Sequence, residues 1–161
     1  MDTSIINYIK KHSTSRAMNT IVIHCSATKE GKSYNAEDIN KWHLARGFKG
    51  IGYHFVIKLD GTIELGRPLN KVGAHVANAN TGTVGICYIG GLDSSGKPKD
   101  TRTPEQKKAL VELVDALKSN ITTISSVKGH RDYSKDLNKN GKIDPSEYIK
   151  ACPCFEVSNE F

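Results

Sequence analysis

Histidine and cysteine carry most of the chemical reach of this chain. His24 closes the apolar run Ile21-Val22-Ile23, His130 stands in Gly129-His130-Arg131-Asp132, and Cys152 stands in Lys150-Ala151-Cys152-Pro153-Cys154. Two imidazoles and a thiolate match the ligand count of a catalytic zinc, which keeps a fourth position open for water. Zinc in such a site neutralises the thiolate and lowers the pKa of the bound water to about 7. The three residues lie far apart in the chain, so spacing alone does not license the site. A single histidine is more often structural than a ligand.

A second cation-binding pattern lies between the last two of these residues. Asp136-Leu137-Asn138-Lys139-Asn140-Gly141-Lys142-Ile143-Asp144-Pro145-Ser146-Glu147 matches D-x-[DN]-x-[DN]-G-x5-E. Asp136, Asn138 and Asn140 would be ligands, with Lys142 giving its carbonyl, Asp144 at the ninth position and Glu147 as the bidentate twelfth. The same residues also read as ordinary turn formers, and Asp144-Pro145-Ser146-Glu147 as a plain helix start. No long helix pattern precedes Asp136. The expectation is therefore a single EF-like loop for calcium or a similar hard cation, ordering the chain so that Lys150 and Cys152 reach the first site.

Positioning these groups requires strands and helices, and the chain supplies signals for both. Ile21 to His24, Gly52 to Leu59, Thr62 to Leu65 and Thr83 to Ile89 read as strands, with Asp60-Gly61 as a hairpin turn between the second and third. Asn35 to Arg46 reads as a helix capped by Asn35 with Asp38 three residues on, and Ile39, Trp42 and His43 are expected to share its buried face. Thr103-Pro104-Glu105-Gln106 is a capping box with proline at the first helical position. Leu110, Leu113, Val114 and Leu117 then recur at helical spacing. Interspersed strands and helices predict an α/β domain with a central mixed β-sheet flanked by helices. Tyr53 and His54 alternate on one strand and should face opposite ways. Cys25 and Cys87 read as small buried hydrophobes.

The chain has 161 residues, 37% hydrophobic and 25% charged, with a net charge of +6; its mean hydropathy is −0.44 and its pI about 9.1. This composition fits one globular domain and excludes disordered and fibrous classes. No apolar run approaches the roughly 18 residues of a membrane span. Residues 1–20 read as a polar, partly helical extension without a signal-peptide pattern, so the expected location is the cytoplasm, or outside after lysis. The positive charges are scattered. With no helix-turn-helix, zinc-finger spacing or aromatic-basic motif, nucleic acid is not an expected partner. Four cysteines are too few for a disulfide scaffold at this length.

An ordered set of segments is more specific than any of its pieces: Ile23-His24-Cys25-Ser26-Ala27-Thr28, Trp42-His43, Gly52-Tyr53-His54-Phe55, Asp60-Gly61-Thr62, Val72-Gly73-Ala74-His75, Thr83-Val84-Gly85-Ile86-Cys87, Gly129-His130 and Lys150-Ala151-Cys152-Pro153 with Phe155. Together, from about Ile21 to Phe155, they resemble the type 2 N-acetylmuramoyl-L-alanine amidases, a family that includes phage amidase lysozymes and peptidoglycan-recognition proteins. The resemblance implies a single domain of that fold over residues 21–161. It also implies zinc held by His24, His130 and Cys152, and hydrolysis of the amide between the N-acetylmuramic acid lactyl group and L-alanine.

By the same resemblance Tyr53 and Lys150 are catalytic and His75 lies in the substrate cleft, with peptidoglycan or its muropeptide fragments as the partner. Without the resemblance, Tyr53 reads as a packed strand aromatic and Lys150 as a solvated lysine. The alternative is a non-catalytic peptidoglycan-binding module of the same fold; the presence of Cys152 favours the enzyme. One departure stands out. Compact members place only a few residues between the second histidine and the cysteine, whereas here 21 residues separate His130 from Cys152.

Overall fold

The computed structural model describes residues 1–148 and 150–161, and of Glu147 the backbone only. Ten regular elements follow in chain order: α1 (Thr3–His12), β1 (Thr20–Cys25), β2 (Thr28–Lys29), α2 (Ala36–Ala45), β3 (Phe55–Ile57), β4 (Ile63–Leu65), β5 (Thr83–Tyr88), β6 (Gly91–Leu92), α3 (Pro104–Asn120) and β7 (Ser126–Gly129). A five-stranded sheet runs β4-β3-β5-β1-β7. β3, β5, β1 and β7 are parallel and β4 is antiparallel on β3, so the sheet is mixed as expected.

Helices α2 and α3 begin where local chemistry dictates. At α2 the Asn35 side chain accepts from the Asp38 N–H while Asp38 accepts from the Asn35 N–H. At α3 Thr103 and Gln106 make the same reciprocal pair. The Gln106 amide then donates to the carbonyls of Ile57 and Ile89, which ties the start of α3 to the sheet.

The sheet is apolar on both faces, as parallel strands between helices must be. One face buries Ile21, Ile23, Phe55, Ile86 and Tyr88 against Leu110, Leu113, Val114 and Leu117 of α3 and Ile5 and Ile9 of α1. The other face buries Val56, Cys87 and Ile89 against Ile39 of α2. The polar N-terminal stretch thus contains a helix, two of whose three isoleucines, Ile5 and Ile9, enter the main core. Trp42 departs from expectation: Ile39 and His43 are buried, but Trp42 remains 38% exposed and stacks edge-on against Tyr34. The strand expected over residues 52–59 is regular only at Phe55–Ile57. Its lead-in is held individually, with the His54 N–H donating to the Gly85 carbonyl at 2.9 Å.

His54 is fully buried and neutral. Its Nδ1 accepts from the Gly85 N–H at 3.0 Å and its Nε2 lies 2.8 Å from the Lys71 carbonyl. Burial pushes its pKa from the ordinary 6.5 down to about 4. A histidine lowered on folding stabilises the native state above its unfolded pKa, and that stability is lost as the pH falls toward the folded value. His54 alone should therefore cost about 2 kcal/mol between pH 7 and pH 5. Urea unfolding at the two pH values checks this, and a flat profile would contradict it.

Candidate metal centre

Parallel pairing builds the site. Ile23 of β1 lies opposite Gly129 of β7, so the next residues, His24 and His130, emerge side by side at the C-terminal ends of neighbouring strands. Their ring centroids are 4.7 Å apart. Open α/β sheets place ligands at this edge, where strands end and loops begin. Cys152 arrives from the C-terminal segment, its Sγ 3.9 Å from His24 Nδ1 and accepting the Cys25 N–H at 3.2 Å.

The long stretch after His130 does not prevent this meeting. The Arg131 N–H donates to the Cys152 carbonyl at 2.9 Å, so the chain leaves and returns at one place. The Tyr88 hydroxyl donates to the Pro153 carbonyl at 2.6 Å, holding the returning segment to the sheet.

One ligand atom from each of His24, His130 and Cys152 lies within 4.8 Å of the other two. Tetrahedral zinc spaces nitrogen and sulfur ligands about 3.3 to 3.6 Å apart, so small side-chain adjustments suffice. The donor chemistry also fits. Burial, reinforced by neighbouring positive groups, pushes the His24 pKa well below 6.5 and lowers that of His130, so both rings are neutral with a lone pair to give. These three residues form a possible metal site that suits zinc.

A cleft of about 480 Å³ opens beside this cluster, lined by His43, Tyr53, His75, His130, Lys150 and Cys152 among others. Tyr53 packs its ring 5.0 Å from that of His24, and burial raises its phenol well above 10, so it is an O–H at neutral pH. Its hydroxyl neighbours the Cys87 thiol on the same face of the sheet. Lys150 is exposed at the cleft wall. His43 is held from below, its Nδ1 accepting from the Gly52 N–H at 2.9 Å.

His75 is half-buried and bonds the ligand cluster directly: its Nδ1 lies 2.8 Å from His24 Nε2. Its Nε2 is 3.1 Å from the Thr83 hydroxyl. No local pattern signals this His75–His24 pairing, because it joins residues 51 positions apart through folding alone. Cys154, two residues past Cys152, stands outside the cluster. Its thiol donates to the Gly91 carbonyl at 3.2 Å and sits 4.0 Å from Cys25 Sγ.

The 136–147 loop makes turns of the kind its pattern anticipates, with Lys139 at φ +58° and Gly141 at φ +85°. Asp136 accepts from the N–H groups of Asn140 and Gly141, and Asp144 accepts from the amides of Asn138 and Asn140. Lys142 donates its N–H to the Asn140 side chain. The Glu147 side chain lies outside the described residues. Among those residues no other group of histidine, cysteine or acidic side chains assembles to hold an ion, and the expected calcium site finds no support.

Comparison with known proteins agrees on one family. The family model described as N-acetylmuramoyl-L-alanine amidase matches residues 14–147. The endolysin of Klebsiella phage KP32 is 36% identical over 152 residues, covering 94% of this chain and 88% of that protein. Among solved structures, the endolysin N-acetylmuramoyl-L-alanine amidase LysCS from Clostridium intestinale superposes with a TM-score of 0.65 at 29% identity, covering 86% of this chain and 76% of the other. Drosophila PGRP-LB superposes at 0.64 and 25% identity over 86% of this chain and 75% of the other.

Proposed function

The chain belongs to the N-acetylmuramoyl-L-alanine amidase family, and from that premise we propose that it is a zinc-dependent hydrolase of peptidoglycan. The bond cleaved is the amide joining the lactyl group of N-acetylmuramic acid to L-alanine of the stem peptide. Family membership and the endolysin relative support peptidoglycan amidase activity as such. The finer reading rests on one observation, the convergence of the His24, His130 and Cys152 donor atoms at the wall of an open cleft.

When bound there, zinc supplies Lewis acidity toward the scissile carbonyl and lowers the pKa of water to about 7. The remaining work belongs to side chains of the chain itself. The Tyr53 phenol, kept neutral by burial, is a hydrogen-bond donor for negative charge developing on the carbonyl oxygen. Lys150, on the same cleft, is a second donor, this one cationic, and delivers a proton to the leaving L-alanine nitrogen. Such donors contribute most when they are fixed before the reaction begins; Tyr53 is held by its ring packing on His24 and by its carbonyl, which accepts from the Arg67 N–H at 2.8 Å. The place of action is the bacterial wall; no described helix is long and apolar enough to cross a membrane.

The test is digestion of purified peptidoglycan. New N-terminal L-alanine should appear without new reducing sugar, from protein carrying about one zinc per chain. Activity should vanish on chelation and return with added zinc. Protein that sediments with walls yet releases no L-alanine would instead be a binding module.

A further inference from the structure

A chain of hydrogen bonds runs behind the ligand cluster, and its direction can be read from one fixed point. The Thr83 hydroxyl donates to the Asn80 carbonyl at 2.7 Å, and a carbonyl can only accept. The hydroxyl's single proton is thereby committed. At the 3.1 Å contact with His75 Nε2, Thr83 must therefore accept, so Nε2 carries the proton. A neutral imidazole protonated on Nε2 has its lone pair on Nδ1. His75 Nδ1 then accepts from His24 Nε2–H at 2.8 Å, which leaves the His24 lone pair on Nδ1, the atom facing Cys152 Sγ.

The surroundings of His75 are built to hold this arrangement. Asn80 anchors it twice, since its side-chain oxygen accepts from the backbone N–H groups of His75 and Val76 at 2.9 and 2.8 Å while its carbonyl takes the Thr83 proton. The ring lies in a slot between two glycines. A Cβ at Gly85 would meet the ring at 2.8 Å, and one at Gly73 at 2.6 Å. The slot admits the imidazole only because both positions lack a side chain.

We propose that His75 is a positioning residue for the metal centre: Asn80, Thr83 and His75 form a directed hydrogen-bond chain that fixes His24 with Nε2 protonated and Nδ1 presented to the ion. The proposal rests on the zinc reading above and extends it. With both ring nitrogens engaged by protein groups, His75 acts through His24 and not by a polar contact of its own to substrate. Outer partners that orient a ligating histidine typically contribute ten- to hundredfold in metal affinity.

The experiment measures zinc affinity by competition with a chromogenic chelator, together with histidine-ring nitrogen NMR of the zinc-loaded protein. Thr83→Val keeps the shape and removes the hydroxyl; the zinc Kd should rise about tenfold. Thr83→Ser should return it to within about twofold, and Gly85→Ala should weaken binding with every hydrogen-bonding group still present. In the unaltered protein NMR should find His75 and His24 both protonated on Nε2, a readout that needs no variant to fold. His75 protonated on Nδ1, or a folded Thr83→Val protein with unchanged zinc affinity, would overturn the proposal alone. Unaltered protein that takes up no zinc would overturn the zinc reading and this inference with it.

Discussion

Replacing Cys152 by serine is expected to lower amide hydrolysis by about a thousandfold or more, a loss of about 4 kcal/mol in transition-state stabilisation. The fold should barely change. Cys152 is half-buried, its Sγ accepts one N–H, and a serine hydroxyl can accept the same bond. What disappears is the one soft, anionic ligand among the three, and a serine hydroxyl does not ionise to replace it. Zinc content should fall in step with rate, while the melting temperature of the metal-free protein stays put. His24→Ala should match the loss of activity but cost stability too, because it strips His75 Nδ1 of its donor in a half-buried slot. A zinc-replete, active Cys152→Ser protein would mean that the metal is held elsewhere.

Arg102→Ala is expected to remove about 3 kcal/mol of stability. The side chain is 2% exposed and makes four charged hydrogen bonds of 2.7 to 2.9 Å, two to Asp100 and two to Glu160. Its guanidinium also lies 3.3 Å over the Phe155 ring. Asp100 and Glu160 are each about one-third exposed, so both can turn to water once the arginine is gone. That escape keeps the loss below the upper range for breaking a buried ion pair. Lysine should rescue little, because a single ammonium cannot reproduce the planar fork or the stacking. Since Phe155 and Glu160 belong to the segment that delivers Cys152, zinc should also bind more weakly. Urea unfolding and chelator competition read the two effects, and a stability change under about 0.5 kcal/mol would contradict the account.

Features encoded within a few residues of sequence were legible. The two capping boxes, at Asn35 with Asp38 and at Thr103 with Gln106, are local exchanges of hydrogen bonds and fall where the residue types place them. The heptad-like leucines of α3 bury as expected. Features that depend on pairing were not. β7 is a short edge strand, Ser126-Val127-Lys128-Gly129, with a half-buried polar pattern that no alternation marks; its pairing with β1 makes it a strand. Trp42 shares a helical face with Ile39 by spacing, yet it stays partly exposed, with the Tyr34 ring edge-on against it. The ligand trio came from resemblance, because no spacing rule relates His24 to Cys152; the adjacency of the two histidines is a consequence of strand register. His75 was visible as a residue of interest but its partner was not, since that contact exists only once the 73–83 segment closes over β1.

The bond between Arg131 N–H and the Cys152 carbonyl gives the long excursion between them a particular freedom. Its two feet stand together, so its length is decoupled from the placement of the ligands, and each doubling of such a span adds only about 0.6 kcal/mol of closure entropy. Evolution can therefore trim, extend or re-dress this outer tongue without retuning the chemistry beneath it. In an enzyme whose target is a polymer mesh, such a segment is the natural place for lineages to diverge.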